Sequence, residues 1–231
     1  MLGVKGLHKL SEKPNISKIS MKLLLEYYEE YLKPYSFTYE LEDGQVIDLN
    51  FEKEHFCHLI GVETVAKNVY RNEAVLKRYK GELGYRRIDD GEITFQHLKN
   101  LKHRRSGKSK FKSIKDKLIF FYLIPHALES SEVILEYKII HNAIKCKMLI
   151  YDITHGVCVN IGVDEDEDTP GYHFMRTFLI ERITQNNDGL KFVSGQPSVF
   201  VKKITKTEVS SGKVVLVKSP NQSEVEEKKN N

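Results

Sequence analysis

The chain has 231 residues, 40% apolar and 29% charged, with 11 Phe, 12 Tyr and no Trp. That is enough to bury a core, and it excludes a disordered, collagen-like or disulfide-scaffold protein. The longest apolar run, residues 118–125, is far short of the roughly 20 residues of a membrane span, and three cysteines (Cys57, Cys146, Cys158) without CxxC spacing imply reduced thiols in a cytosol. The net charge of +4 is segregated: residues 99–117 hold nine Lys or Arg against the single acid Asp116, a local +8, so the rest of the chain carries −4.

In chain order, residues 1–14 are too poor in apolar length for a signal peptide and are expected to be flexible. Ile16, Ile19, Leu23, Leu24, Tyr27, Tyr28, Tyr31 and Leu32 then recur at three- and four-residue steps up to the breaker Pro34, predicting an amphipathic helix. The period changes to two over 36–41 and 45–51, which flank Asp43-Gly44 and predict a tight hairpin. Residues 52–70 return to helical spacing with Gly61 as a break, and 93–101 read as a short helix entering the basic run. Gly107 and its serine neighbours are expected to form a flexible interruption. Phe111, Ile114, Leu118 and the solid apolar run to Ile124 predict a core helix ending before Pro125.

The C-terminal half reads as β: 145–153, 157–163, 174–183, 198–204 and a last strand at 213–218, with turns at His155-Gly156 and 186–189. Links this short predict antiparallel pairing. The acidic run 164–168 is read as a solvated loop and 219–231 as a disordered tail. The expected fold is therefore α+β, with N-terminal helices and a β-hairpin followed by a four- to five-stranded antiparallel sheet. It would form one domain over 15–208 with a basic insert at 99–117, and 209–231 would hold the last strand and the tail.

No GxxxxGK[ST], no GxGxxG opening a helix, no GxSxG elbow and no HExxH occurs, so neither a nucleotide cofactor nor a metal is indicated. The basic run is the strongest positive feature. Lys102, Arg104, Arg105, Lys108, Lys110 and Lys112 would create a field suited to a nucleic-acid backbone, although the same residues also suit a merely solvated face. Aromatic interleaving within the run is limited to Phe111. Metal-free RNA cleavage needs a base for the 2′-hydroxyl, an acid for the leaving 5′-oxygen and cations around the phosphorus, and histidine suits the first two roles. His58, His141, His155 and His173 are candidates, the last on a strand that also carries Arg176.

The succession from Pro34 through Leu41, Asp43-Gly44, Ile47 through Phe51, and Phe56-Cys57-His58-Leu59-Ile60-Gly61-Val62 resembles a phage- and mobile-element-associated branch of the barnase/EndoU/colicin/RelE-like nucleases. In that branch a hairpin leads to a helix with an F-x-H-L-[LI]-G-[LV] signature. The likeness continues loosely to a strand holding Thr177-Phe178. It implies an α+β ribonuclease-like fold with the active site on an antiparallel sheet, His58 as the signature histidine, and Arg176 and Thr177 on the strand of the family's Thr-Phe element. A Tyr-Pro pair is expected shortly before that threonine; Phe174-Met175 stand there, with the nearest tyrosine at Tyr172. The expectation is a cytoplasmic, metal-independent endoribonuclease that acts on RNA as a toxin or phage-defence effector. His58, Arg176 and Thr177 would be catalytic, no cofactor is needed, and an antitoxin or immunity protein would be a partner. The alternatives are a non-catalytic nucleic-acid- or protein-binding module using 99–117, and a purely structural His58 in the core.

Overall fold

The computed structural model describes residues 2–129, 134–138 and 146–219. The chain divides into two compact units, each assembled from two stretches: Met1–Lys33 with Glu52–Ile124, and Pro34–Phe51 with Pro125–Asn231. Chain length suggests one domain; two of the divisions between the units fall at Pro34 and Pro125.

The first unit is helical. Residues read as flexible form α1 (Val4–His8), where Leu7 is buried and His8 stacks on Tyr31 with centroids 3.9 Å apart. Ser20 opens α2 (Met21–Tyr31), its hydroxyl accepting from the Leu23 N–H at 3.1 Å and satisfying a donor that a helix start leaves open. The remaining helices are α3 (Lys53–Leu59), α4 (Val62–Lys67), α5 (Glu73–Leu76), α6 (Gly81–Asp89), α7 (Phe95–Asn100) and α8 (Phe111–Phe120). Phe56 centres the core, its ring 5.1 Å from Tyr28 and 5.8 Å from both Tyr85 and Phe121. Buried Tyr27 and Tyr28 donate their hydroxyls to the Tyr122 and Glu52 carbonyls, each at 2.8 Å, as a buried phenol must. The expected helix up to Ile124 ends at Phe120 and continues as a 3-10 turn over Phe121–Leu123; the chain then enters α9 (Ile124–Glu129), which belongs to the second unit from Pro125 on. Pro125 is accommodated because it sits in a first turn, where its missing N–H costs nothing.

Among the described residues the second unit is built on a nine-stranded sheet rather than one of four or five strands. Its members are β1 (Tyr35–Leu41), β2 (Val46–Asn50), β3 (Ile134–Glu136), β4 (Met148–Thr154), β5 (Val157–Glu165), β6 (Tyr172–Arg182), β7 (Ser198–Val199), β8 (Val201–Glu208) and β9 (Val214–Lys218), in the order β7-β3-β4-β5-β6-β2-β1-β8-β9. The predicted β1–β2 hairpin turns through residues 42–44, with Gly44 at φ +90° and the Leu41 N–H donating to the Gln45 carbonyl at 2.9 Å, whereas β4–β5 turns at His155-Gly156, both residues having positive φ as a two-residue hairpin requires. Among the described residues all pairs are antiparallel except β2 with β6, which run parallel through Leu49 opposite His173. Counting short links misses this, because the two strands lie about 120 residues apart in the chain and the early hairpin joins the late sheet. β5 is buried at eight of nine positions, the mark of a central strand.

The acidic run is not simply a loop. Asp164 and Glu165 complete β5, and Asp166 closes the following turn by accepting from the Asp168 and Thr169 N–H groups at 3.0 and 2.8 Å. Of the expected tail, residues 220–231 lie outside the described residues, as does His141. No helix among the described residues is long and apolar enough to cross a membrane.

Candidate functional site

The signature segment separates into packing and exposed positions. Phe56, Cys57, Leu59, Ile60 and Val62 are all fully buried. Gly61 adopts φ +80°, ending α3 and starting α4, and a Cβ built on it would stand 2.6 Å from the Ile114 Cγ2. The glycine is thus required by backbone conformation and by its approach to α8. His58 alone points outward, its side chain 53% exposed with Nδ1 3.8 Å from the Glu63 Oε2, so it is not a core histidine. Lys67 also pairs with Glu63, at 3.1 Å. Burial would push the Glu63 carboxyl up, but His58 and Lys67 outweigh it and hold it below the usual carboxylate value. An ionised carboxylate therefore sits behind the imidazole, a partner that no spacing rule in the sequence indicates.

Arg176 and Thr177 lie in the sheet unit. The β5–β6 register passes from Gly162 opposite Thr177 to Val163 opposite Met175, which leaves Arg176 as the extra residue of a β-bulge. Such bulges re-aim a side chain. Arg176 is 47% exposed and forms an ion pair with Asp164, which is 13% exposed. Thr177 packs against Gly162, where an added Cβ would lie 2.6 Å from the Thr177 Cγ2 and 3.0 Å from the Cys146 Sγ. His173, a further candidate, lies across from Glu165, and both line a cleft of about 440 Å³ with Lys147, Tyr137 and Cys146. His155 occupies the β4–β5 turn. Burial pushes all three thiols up to about 12, so none is a thiolate nucleophile at neutral pH.

The expected interruption around Gly107 forms a hydrogen-bonded turn. His103 N–H donates to the Lys108 carbonyl at 3.0 Å, Gly107 N–H to the His103 carbonyl at 2.8 Å, and Ser109 Oγ to the Leu98 carbonyl at 2.9 Å. Asn68 Nδ2 reaches the Lys108 carbonyl at 3.3 Å and ties this loop to the end of α4. Lys102, Arg104, Arg105, Lys108, Lys110 and Lys112 are all exposed. Lys117, by contrast, is half-buried, and burial pushes its ammonium down to about 8. Arg104 and Arg105 line a cleft of about 570 Å³ with Arg71 and Tyr70, two residues that a linear reading of the basic run does not reach.

Residues 21–214 match the family described as phage-Barnase-EndoU-ColicinE5/D-RelE like nuclease4. The chain belongs to this nuclease family. Membership implies a nucleic acid as substrate, and it covers the signature histidine, the basic run and the strand with Arg176 and Thr177. Compared with curated proteins and with solved structures, the chain gives no match.

Proposed function

We propose that this nuclease is an endoribonuclease that cleaves by attack of the RNA 2′-hydroxyl on the adjacent phosphorus, without a metal. One acid/base group takes the 2′-hydroxyl proton, the P–O5′ bond breaks, and the 5′-oxygen leaves with a proton, giving a 2′,3′-cyclic phosphate. His58 is assigned to this proton transfer, with Glu63 orienting its ring. Arg176 is assigned to phosphate charge and Thr177 to a hydroxyl hydrogen bond with phosphate. Lys102, Arg104, Arg105, Lys108, Lys110 and Lys112 bind the flanking backbone. A toxin or phage-defence effector, restrained by an antitoxin or immunity protein, is the setting assigned to this activity.

The observation that carries the reading is the contrast inside the signature. Every apolar member is buried, the glycine is sterically required, and the histidine is the one residue the core does not use. The test is labelled RNA incubated in excess EDTA with the wild-type chain or with His58→Ala. Cyclic-phosphate fragments that fall by more than about a hundredfold in the variant are expected, as for loss of an acid/base group, with an unchanged unfolding midpoint because the ring is half exposed. Full activity in a folded His58→Ala chain would refute the assignment.

A second reading, a binding module without catalysis, is favoured by one observation: the Arg176 guanidinium is already engaged by Asp164. It expects salt-sensitive RNA binding with no fragments and no effect of His58→Ala.

A further inference from the structure

The cleft beside the basic run is made by two segments of the helical unit. Asn68, Tyr70 and Arg71 come from the stretch after α4, and His103, Arg104 and Arg105 from the loop before α8. No carboxylate lines it, and none of the three arginines forms an ion pair among the described residues. Three guanidinium groups around one concavity repel one another and raise the local concentration of anions. The clamp from Asn68 to the Lys108 carbonyl and the loop's internal hydrogen bonds hold the two walls together.

Its second feature is aromatic. Tyr70 stacks on Tyr79 with centroids 5.7 Å apart and planes at 24°, and Tyr79 stacks on His97 at 5.8 Å and 26°. The Tyr79 hydroxyl lies 3.1 Å from the His97 Nε2, and the Arg87 guanidinium covers the Tyr79 ring at 5.3 Å. Tyr70 is therefore braced by Tyr79, and of these stacked rings it is the one that lines the cleft, with His103 of the basic loop beside it. A fixed aromatic surface surrounded by guanidinium groups suits a base that has left its stack, with the flanking phosphates on the arginines. Bases inside a duplex are stacked on one another and cannot present a face to such a ring.

Building on the ribonuclease reading, we infer that this cleft binds an unpaired nucleotide of the RNA, its base on Tyr70 and its phosphates on Arg71, Arg104 and Arg105. The probe is a fluorescent twelve-nucleotide 2′-O-methyl RNA, which lacks the attacking hydroxyl. Its binding to the full chain is followed by anisotropy, single-stranded and as a duplex, across salt concentrations.

The single strand should bind at least about tenfold tighter than the duplex. Tyr70→Ala should remove about tenfold from single-strand affinity without changing duplex affinity, and Tyr70→Phe should retain it. Arg71→Gln, at an exposed position, should lower the slope of log Kd against log salt by about 0.7, the loss of one phosphate contact on a single strand. Equal affinity for both probes would overturn the inference. So would single-strand binding indifferent to Tyr70→Ala in a chain with native circular dichroism. Cleavage of unmodified RNA is measured in parallel. Tyr70-dependent binding without cleavage upholds the cleft and overturns the ribonuclease assignment, whereas cleavage and binding both indifferent to Tyr70→Ala overturn the cleft alone.

Discussion

Gly61→Ala probes why the signature carries a glycine. At φ +80° an alanine carries the left-handed penalty of about 1–2 kcal/mol. Its Cβ would also stand 2.6 Å from the Cγ2 and 3.2 Å from the Cβ of Ile114. Ile114 is 1% exposed and cannot swing aside, so overpacking adds about 1–3 kcal/mol, for a total of about 2–5 kcal/mol. Gly44→Ala is the control: φ is +90° there, but nothing lies within 4 Å of the added carbon, so only the conformational penalty applies. Urea unfolding followed by far-ultraviolet circular dichroism measures both. A double-mutant cycle isolates the contact: in an Ile114→Ala background the cost of Gly61→Ala should fall by at least about 1 kcal/mol, since the clashing methyl is gone. A Gly61→Ala penalty equal to that at Gly44, or one unchanged by Ile114→Ala, would refute the steric account.

Lys117→Met should stabilise the protein at pH 7. The native ammonium titrates at about 8 against an ordinary 10.5, so between those values the unfolded chain binds a proton that the native chain does not, and stability rises with pH across that window. Below it both states are charged and the full burial penalty, at most about 3 kcal/mol, is present. The variant should gain part of that and lose the alkaline slope; an unchanged slope would count against it. Arg176→Ala leaves the largely buried Asp164 without its cation and should cost about 1–3 kcal/mol, measured by the same unfolding curves. Asp164→Asn should instead free the guanidinium. If Arg176 binds phosphate, RNA affinity holds or rises in Asp164→Asn and falls in Arg176→Ala; the same affinity in both variants would remove Arg176 from the substrate site.

Most local elements were legible because their causes are local. The three- and four-residue spacing from Ile16, the Asp43-Gly44 turn, the break at Gly61 and most strands after residue 145 follow from side-chain periodicity and from glycine's access to positive φ, but the single strand expected over 198–204 is divided into β7, which pairs with β3, and β8, which pairs with β1. The histidine, too, could be picked out by a resemblance resting on seven consecutive residues. What the sequence did not disclose depends on residues far apart in the chain. The parallel join of β2 to β6 makes one nine-stranded sheet of a hairpin and a distant set of strands. The bulge at Arg176 and its pairing with Asp164 depend on the β5–β6 register, which no single strand's pattern contains. The Glu63 carboxylate reaches His58 only because Gly61 turns the chain between them. Tyr70 and Arg71 join Arg104 and Arg105 only because Asn68 fastens the basic loop to the end of α4. Periodicity determines which face of an element is apolar, but which elements share that face is decided by the packing of the whole chain.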